Sequence, residues 1–108
     1  ASPKSRRVTG SMHVELSEDA EADLEDAYRY LRAQNPDAAT RVLDAVIGAA
    51  IHLESFPLLG KEGRIRGTRE LLIPGWPYLI VYSIKNEFYV QIERVLHAKR
   101  QWPPEDEP

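Results

Sequence analysis

His97, Lys99 and Arg100 fall within four residues of one another in the stretch RVLHAKRQWP, residues 94–103. Histidine exchanges a proton near neutral pH, and arginine and lysine hold phosphate oxygens. A metal-free RNA-cleaving centre needs a base for the 2′-hydroxyl, an acid for the leaving oxygen and cations on the phosphate. His97 and Arg100 fit two of those roles. Arg64, Arg66, Arg69 and Arg94 are further candidate cations for a catalytic or docking surface. The plainer reading is a basic strand end, where charge discourages edge-to-edge aggregation. By residue type alone, that reading outweighs catalysis. Trp76, between Gly75 and Pro77, and Trp102, before two prolines, stand in turn-like contexts. Either is a candidate recognition group, although Trp102 is more simply read as folding back onto the end of a sheet.

Other chemistries find no support. There is no Gly-rich phosphate loop, no HExxH and no nucleophile elbow. His13, His52 and His97 lack partners at metal-ligand spacing, so neither a metal nor a cofactor is expected. With no cysteine, there is no disulfide framework and no thiolate chemistry. The acidic residues between 18 and 26 spread around a helix rather than converging, which describes a solvated face. No apolar run is long enough to span a bilayer, and no membrane partner is expected. The formal net charge is −3, with the acids concentrated before residue 57 and the bases between 61 and 100. This asymmetry points to faces that meet different partners, but the basic excess is too small to mark a nucleic-acid binder.

The elements that must position these residues are legible in outline. HVEL (13–16) alternates as a short strand. Ser17 offers an N-cap, and Ala20, Leu24, Ala27, Tyr28 and Leu31 recur at helical spacing up to about Gln34. Asn35-Pro36 breaks the chain and restarts it, so the second apolar stripe (Val42, Val46, Ala50, Leu53) belongs to a second, antiparallel helix ending at Phe56-Pro57. Gly48 within it predicts close helix packing. Residues 58–68 read as a loop, 69–73 as a strand and 78–84 as a central strand. Residues 85–87 form a turn, and 88–96 a last strand with Val90, Ile92 and Leu96 inward. The fold class is therefore α+β: a helical hairpin on one side of a mostly antiparallel four-stranded sheet, in the order β-α-α-β-β-β, with the other sheet face uncovered. The domain spans 12–103. Residues 1–11 are expected to be a disordered leader or a vector-derived remnant, and 104–108 a disordered acidic tail.

Four segments in this order carry a resemblance: LSEDAEADLEDAYRYL opening the hairpin, FPLLGKEG leaving it, TRELLIPGWPYLIVYSI over two strands, and IERVLHAKRQWP at the end. Together they resemble the RelE/ParE family of bacterial type II toxins over roughly 12–103. The resemblance implies a cytoplasmic toxin associated with growth inhibition and plasmid stabilisation. It also implies a cognate antitoxin, with an acidic or amphipathic segment laid along the hairpin and the basic strand side.

The family divides by target. RelE-like members cut mRNA on the ribosome, whereas ParE-like members inhibit DNA gyrase without known nuclease chemistry. The mRNA-cleaving pattern of RelE would place lysines at Glu70 and Leu72, an arginine at Leu79, another at Arg100 and a tyrosine near Asp106. Only Arg100 matches, with Lys99 completing the basic pair. Other nuclease members use a histidine near His97, and ParE-like sequences also end a strand in this way. The expectation is a ParE-like inhibitor of gyrase, with Arg64, Arg66, Arg69, Arg94, Lys99, Trp76 and Trp102 as docking residues. The alternatives are a ribosome-dependent mRNA endonuclease using His97 and Arg100, or a degenerate member that only binds its antitoxin.

Overall fold

The computed structural model describes residues 12–104. The chain runs β1 (His13–Leu16), α1 (Glu18–Gln34), α2 (Pro36–Ser55), β2 (Lys61–Glu62), β3 (Arg69–Leu72), β4 (Tyr78–Asn86) and β5 (Tyr89–His97). The expected leader at 1–11 and, Pro104 apart, the expected tail at 104–108 lie outside the described residues.

Local chemistry explains where the helices begin and end. The Ser17 hydroxyl accepts the Ala20 N–H at 3.0 Å, and Glu18, Asp19 and Glu21 sit where the helix dipole favours acids. Asn35 serves two helices. Its N–H closes α1 on the Leu31 carbonyl at 2.6 Å, and its side chain caps α2 through the Ala38 N–H at 3.2 Å. One residue between helices forces an antiparallel hairpin. Its inner face (Ala20, Val42, Val46 and Leu53) buries against Ile80, Tyr82, Val90, Ile92 and Val95 of the sheet.

The sheet order is β1-β5-β4-β3-β2. β1 runs parallel to β5, because the helical hairpin carries the chain back across the sheet before the later strands form. The remaining pairings are antiparallel. The sheet thus has five strands where four were expected. β2 lies in the segment read as loop and is two residues long, too short to show a period. β4 extends to Asn86, whose side chain accepts the Phe88 N–H at 2.8 Å and closes a two-residue turn, so the reversal falls later than 85–87.

A β-bulge shapes the end of β5. Val81 pairs with Arg94 and Tyr82 with Ile92, leaving Glu93 without an opposite number. The extra residue shifts the alternation by one. Val95, rather than Leu96, continues the helix-facing row, and Leu96 turns to the other face beside Leu79 and Val81. The expectation that Leu96 pointed toward the helices fails for this reason. Among the described residues, no helix is long and apolar enough to cross a membrane.

Two glycines contrast. Gly60 is buried where Tyr82 crosses beneath the chain: the Tyr82 hydroxyl donates to the Pro57 carbonyl at 2.7 Å and accepts the Gly60 N–H at 2.8 Å. A Cβ on Gly60 would stand 2.7 Å from the Glu70 carbonyl oxygen and 2.9 Å from the Tyr82 ring. At Gly48 a Cβ would meet nothing within 4 Å, so the close packing expected there is absent. Gly60→Ala should therefore destabilise the fold by about 1–3 kcal/mol through overpacking. Gly48→Ala should stabilise it by up to about 1 kcal/mol through helix propensity. Urea unfolding of the two variants checks both signs, and a Gly60→Ala midpoint equal to wild type would sink the first.

Candidate functional site

Six of the candidate residues, Arg64, Arg94, His97, Lys99, Arg100 and Trp102, lie around the end of β5 and the sheet face opposite the helices. β1 ends at Leu16, while β5 continues to His97. The chain leaving β1 supplies the next partners: Ser17 N–H donates to the Ile92 carbonyl and its hydroxyl to the Glu93 carbonyl, both at 2.9 Å. Farther along, the carboxylate of Asp23 on α1 accepts the Val95 N–H at 2.9 Å. Arg94 binds the same carboxylate through Nε at 2.7 Å and Nη2 at 2.8 Å. The hydrogen bond to Asp23 raises the Arg94 pKa further, against the opposing effect of burial, so the guanidinium is always charged. Arg94 is thus a partner of α1 rather than an open cation.

Arg64 is also engaged. The Glu70 side chain is fully buried. It receives the Arg64 backbone N–H at 2.9 Å, Arg64 Nε at 3.2 Å and Nη2 at 2.9 Å. Burial pushes the Glu70 carboxyl up, but the hydrogen bonds from Arg64 and the charges of Arg64 and Lys61 more than offset it. The group ends below its ordinary value. Arg64 Nη1 then reaches the Trp102 carbonyl at 2.9 Å.

Trp102 packs over Leu79, Val81 and Leu96, with the Arg94 guanidinium 5.7 Å from its ring centroid. This corrects the expectation of an uncovered second face. The chain folds its own tryptophan onto it, because three apolar side chains there need cover. The indole N–H is buried without an acceptor among the described residues.

His97 pairs in register with Tyr78, and the two rings meet edge to face at 5.5 Å. Burial pushes the Tyr78 phenol up. The backbone beyond β5 turns tightly: Ala98 N–H donates to the Pro77 carbonyl at 2.7 Å and Arg100 N–H to the His97 carbonyl at 2.9 Å. The Lys99 N–H donates to His97 Nδ1 at 3.2 Å. A backbone N–H can only donate, so Nδ1 presents its lone pair inward and the neutral ring carries its proton on Nε2.

Arg69 lies elsewhere. It pairs with Tyr82, four residues along β4 from Tyr78, a distance of about 13 Å at strand rise. Its guanidinium holds the Gly60 carbonyl at 2.9 Å and the Leu58 carbonyl at 3.4 Å. Arg66 is exposed near that end of the sheet, beside a hollow formed with Glu62, Thr68 and Ile84. Trp76 is half-buried against the main core rather than displayed. Lys99 and Arg100 are exposed in the turn, and with Arg66 they make no ion pair among the described residues. Among the described residues no group of three His, Cys, Asp or Glu side chains could hold a metal ion.

The structure therefore brings Arg64, Arg94 and Trp102 together, sets His97, Lys99 and Arg100 in one turn, and leaves Arg66 and Arg69 apart. Asp23 and Glu70 organise the site; from sequence Asp23 belonged to a solvated acidic face, and Glu70 was noted only as standing where the RelE pattern has a lysine. The available signal was a carboxylate among the apolar residues of RELLI, and an aspartate at the border of the α1 apolar stripe.

A carboxyl held below its ordinary value contributes stability that is present above about pH 4.5, its unshifted value, and is lost as pH falls through the folded value. Wild type should accordingly lose stability progressively below about pH 4.5, and Glu70→Gln should flatten that part of the profile while lowering stability at neutral pH. Chemical unfolding at a series of pH values measures both. Parallel acid limbs for the two proteins would count against the assignment.

Comparison with known proteins agrees with this architecture. The family model described as "ParE toxin of type II toxin-antitoxin system, parDE" matches residues 14–102. The chain is 43% identical over 81 residues to the curated "Putative toxin Y4kP" of Sinorhizobium fredii, covering 74% of this chain and 81% of that protein. Among solved structures, it is similar to a chain of the chromosomal ParDE TA system from P. aeruginosa. That likeness has a TM-score of 0.73 at 20% identity, covers 83% of this chain and 99% of the other, and concerns the fold alone. It is also similar to a chain of the RelBE2 toxin–antitoxin complex from Mycobacterium tuberculosis, with a TM-score of 0.58, 27% identity and coverage of 82% and 94%. With the model match running from β1 through Trp102, the chain belongs to the ParE toxin family of type II toxin–antitoxin systems.

Proposed function

We propose that this toxin acts in the cytoplasm by docking on DNA gyrase and inhibiting it, through the basic turn at the end of β5, and that a cognate antitoxin neutralises it. The observation that carries the reading is what fills the helix-free face of the sheet. At the positions where the mRNA-cleaving pattern would have cations stand Glu70, buried and neutralised by Arg64; Leu72, exposed; and Leu79, buried under Trp102. Arg64, Arg69 and Arg94 are held by internal acceptors, and the inward lone pair of His97 is occupied. A phosphate placed there would meet a carboxylate and apolar side chains, without the preorganised donors on which such catalysis depends. Lys99 and Arg100 instead project as a compact basic edge, suited to steering toward an acidic partner surface.

For the antitoxin, the hairpin offers apolar ground. Ile47 and Ile51 are 49% and 55% exposed one turn apart on α2, followed by exposed Phe56, Leu58 and Leu59. A second shallow groove runs between Leu16, Leu24, Tyr28 and Leu43, rimmed by Glu21 and Glu25. Exposed apolar rows at helical spacing suit an amphipathic segment that folds on contact. The related structures from P. aeruginosa and M. tuberculosis are of toxin–antitoxin systems.

Purified toxin should inhibit gyrase supercoiling and leave mRNA intact in a translation extract. Lys99→Ala combined with Arg100→Ala should weaken that inhibition at least tenfold. Codon-linked mRNA cleavage abolished by His97→Ala would overturn the proposal in favour of the endonuclease, and neither activity alongside tight antitoxin binding would favour a degenerate member. An antitoxin lacking its C-terminal half should bind at least a hundredfold more weakly than the full chain. Equal affinities in a titration would refute the proposed docking along the hairpin.

A further inference from the structure

The turn at 97–100 carries the exposed Lys99 and Arg100; its N–H groups are bonded to Pro77 and His97, but the chain beyond it has no such ladder. Upstream it is fixed by Leu96, buried beside Leu79, and by the Ala98–Pro77 hydrogen bond. Downstream, residues 101–104 lie in no helix or strand, and Pro103 and Pro104 have no N–H to donate. What secures that side is Trp102. Its ring covers the apolar patch of Leu79, Val81 and Leu96, Arg94 lies within cation–π range of it, and Arg64 Nη1 grips its carbonyl at 2.9 Å. Both arginines are themselves immobilised, Arg64 on buried Glu70 and Arg94 on Asp23. The grip thus comes from two groups that already have rigid partners on two different elements, the β2–β3 region and α1.

We propose that Trp102 is a positioning residue: clamped by Arg64 and Arg94, it holds the basic turn in the pose that meets the toxin's target. This rests on the reading that the turn is a docking edge. A loop tethered at both ends samples far fewer poses than one tethered at a single end, and a preordered loop surrenders less freedom when it binds. Lys99 and Arg100 sit between the two tethers, three and two residues before Trp102. The clamp therefore acts on them through the chain, without touching them. It also accounts for why two arginines expected at the docking surface are engaged by the carboxylates of Glu70 and Asp23.

The test compares Trp102→Ala and Trp102→Phe with wild type by amide hydrogen exchange, thermal melting and growth arrest on titrated induction at matched protein levels. Trp102→Phe keeps a ring over the patch and beneath Arg94. The expected result for Trp102→Ala is a folded protein whose β4 amides stay protected, exchange at 98–101 at least tenfold faster, and about tenfold weaker growth arrest, the size of effect that re-immobilising one or two side chains produces. Trp102→Phe should restore both the protection and the arrest to within about twofold. Unchanged exchange at 98–101 in Trp102→Ala would overturn the anchor. Faster exchange with undiminished arrest would overturn its role in target engagement. The docking reading fails separately, if Lys99→Ala with Arg100→Ala arrests growth as well as wild type. In that case exchange alone decides whether Trp102 holds the turn.

Discussion

Beyond Leu16, β5 loses its parallel neighbour, and the carboxylate of Asp23 takes over. An unpaired N–H on a sheet edge is both costly when covered and a template for unwanted pairing when open. Asp23 accepts the Val95 N–H at 2.9 Å and in the same stroke binds both nitrogens of the Arg94 fork. Because Asp23 belongs to α1, this one side chain docks the helical hairpin against the end of the longest strand pair. The bulge at Glu93 precedes this contact and sets which face each side chain takes, Val95 in the helix-facing core and Arg94 beside Trp102 on the other face. Ser17 extends the same logic upstream, capping α1 while hydrogen-bonding the Glu93 carbonyl.

The second face of the sheet follows from that arrangement. Once Arg94 is fixed by Asp23, its guanidinium offers a flat cation on which an indole can rest, and Trp102 lies 5.7 Å from it. Arg64 reaches the same residue from the other side while neutralising Glu70. A carboxylate with no solvent exposure is tolerable only with such partners, since an unpaired buried charge would cost several kcal/mol. Part of the cationic content of the chain's second half is thus structural. Three of its arginines organise the fold, and the exposed cations of that half that make no ion pair among the described residues are Lys61, Arg66, Lys99 and Arg100.

This division gives the molecule surfaces of different character. One is apolar and lies on α2 and the loop that leaves it, where Ile47, Ile51, Phe56, Leu58 and Leu59 remain exposed after folding. Another is the compact basic turn, set at the end of the sheet and tethered by Trp102. A toxin of this family held in check by an antitoxin and aimed at a separate target has use for surfaces that answer to different chemistry. Steering by charge and adhesion by apolar area impose different demands on a partner.

Much of this was legible in the chain. Helical spacing, the Ser17 and Asn35 caps and the β-rich runs of the second half specify a hairpin on a sheet, because caps and periodicity are local properties. The family resemblance was carried by the same segments. The bulge at Glu93, the two-residue β2 and the parallel pairing of β1 were not legible, since each depends on which strands become neighbours. Gly48 misled for a related reason: a mid-helix glycine has a readable local cost, but whether anything packs against it is decided by another element. Arg64 and Arg94 make the contrast plainest. Their charge is written in the sequence, but whether a guanidinium faces solvent or a buried carboxylate is settled only when Glu70 and Asp23, six and 71 residues away, are brought against them.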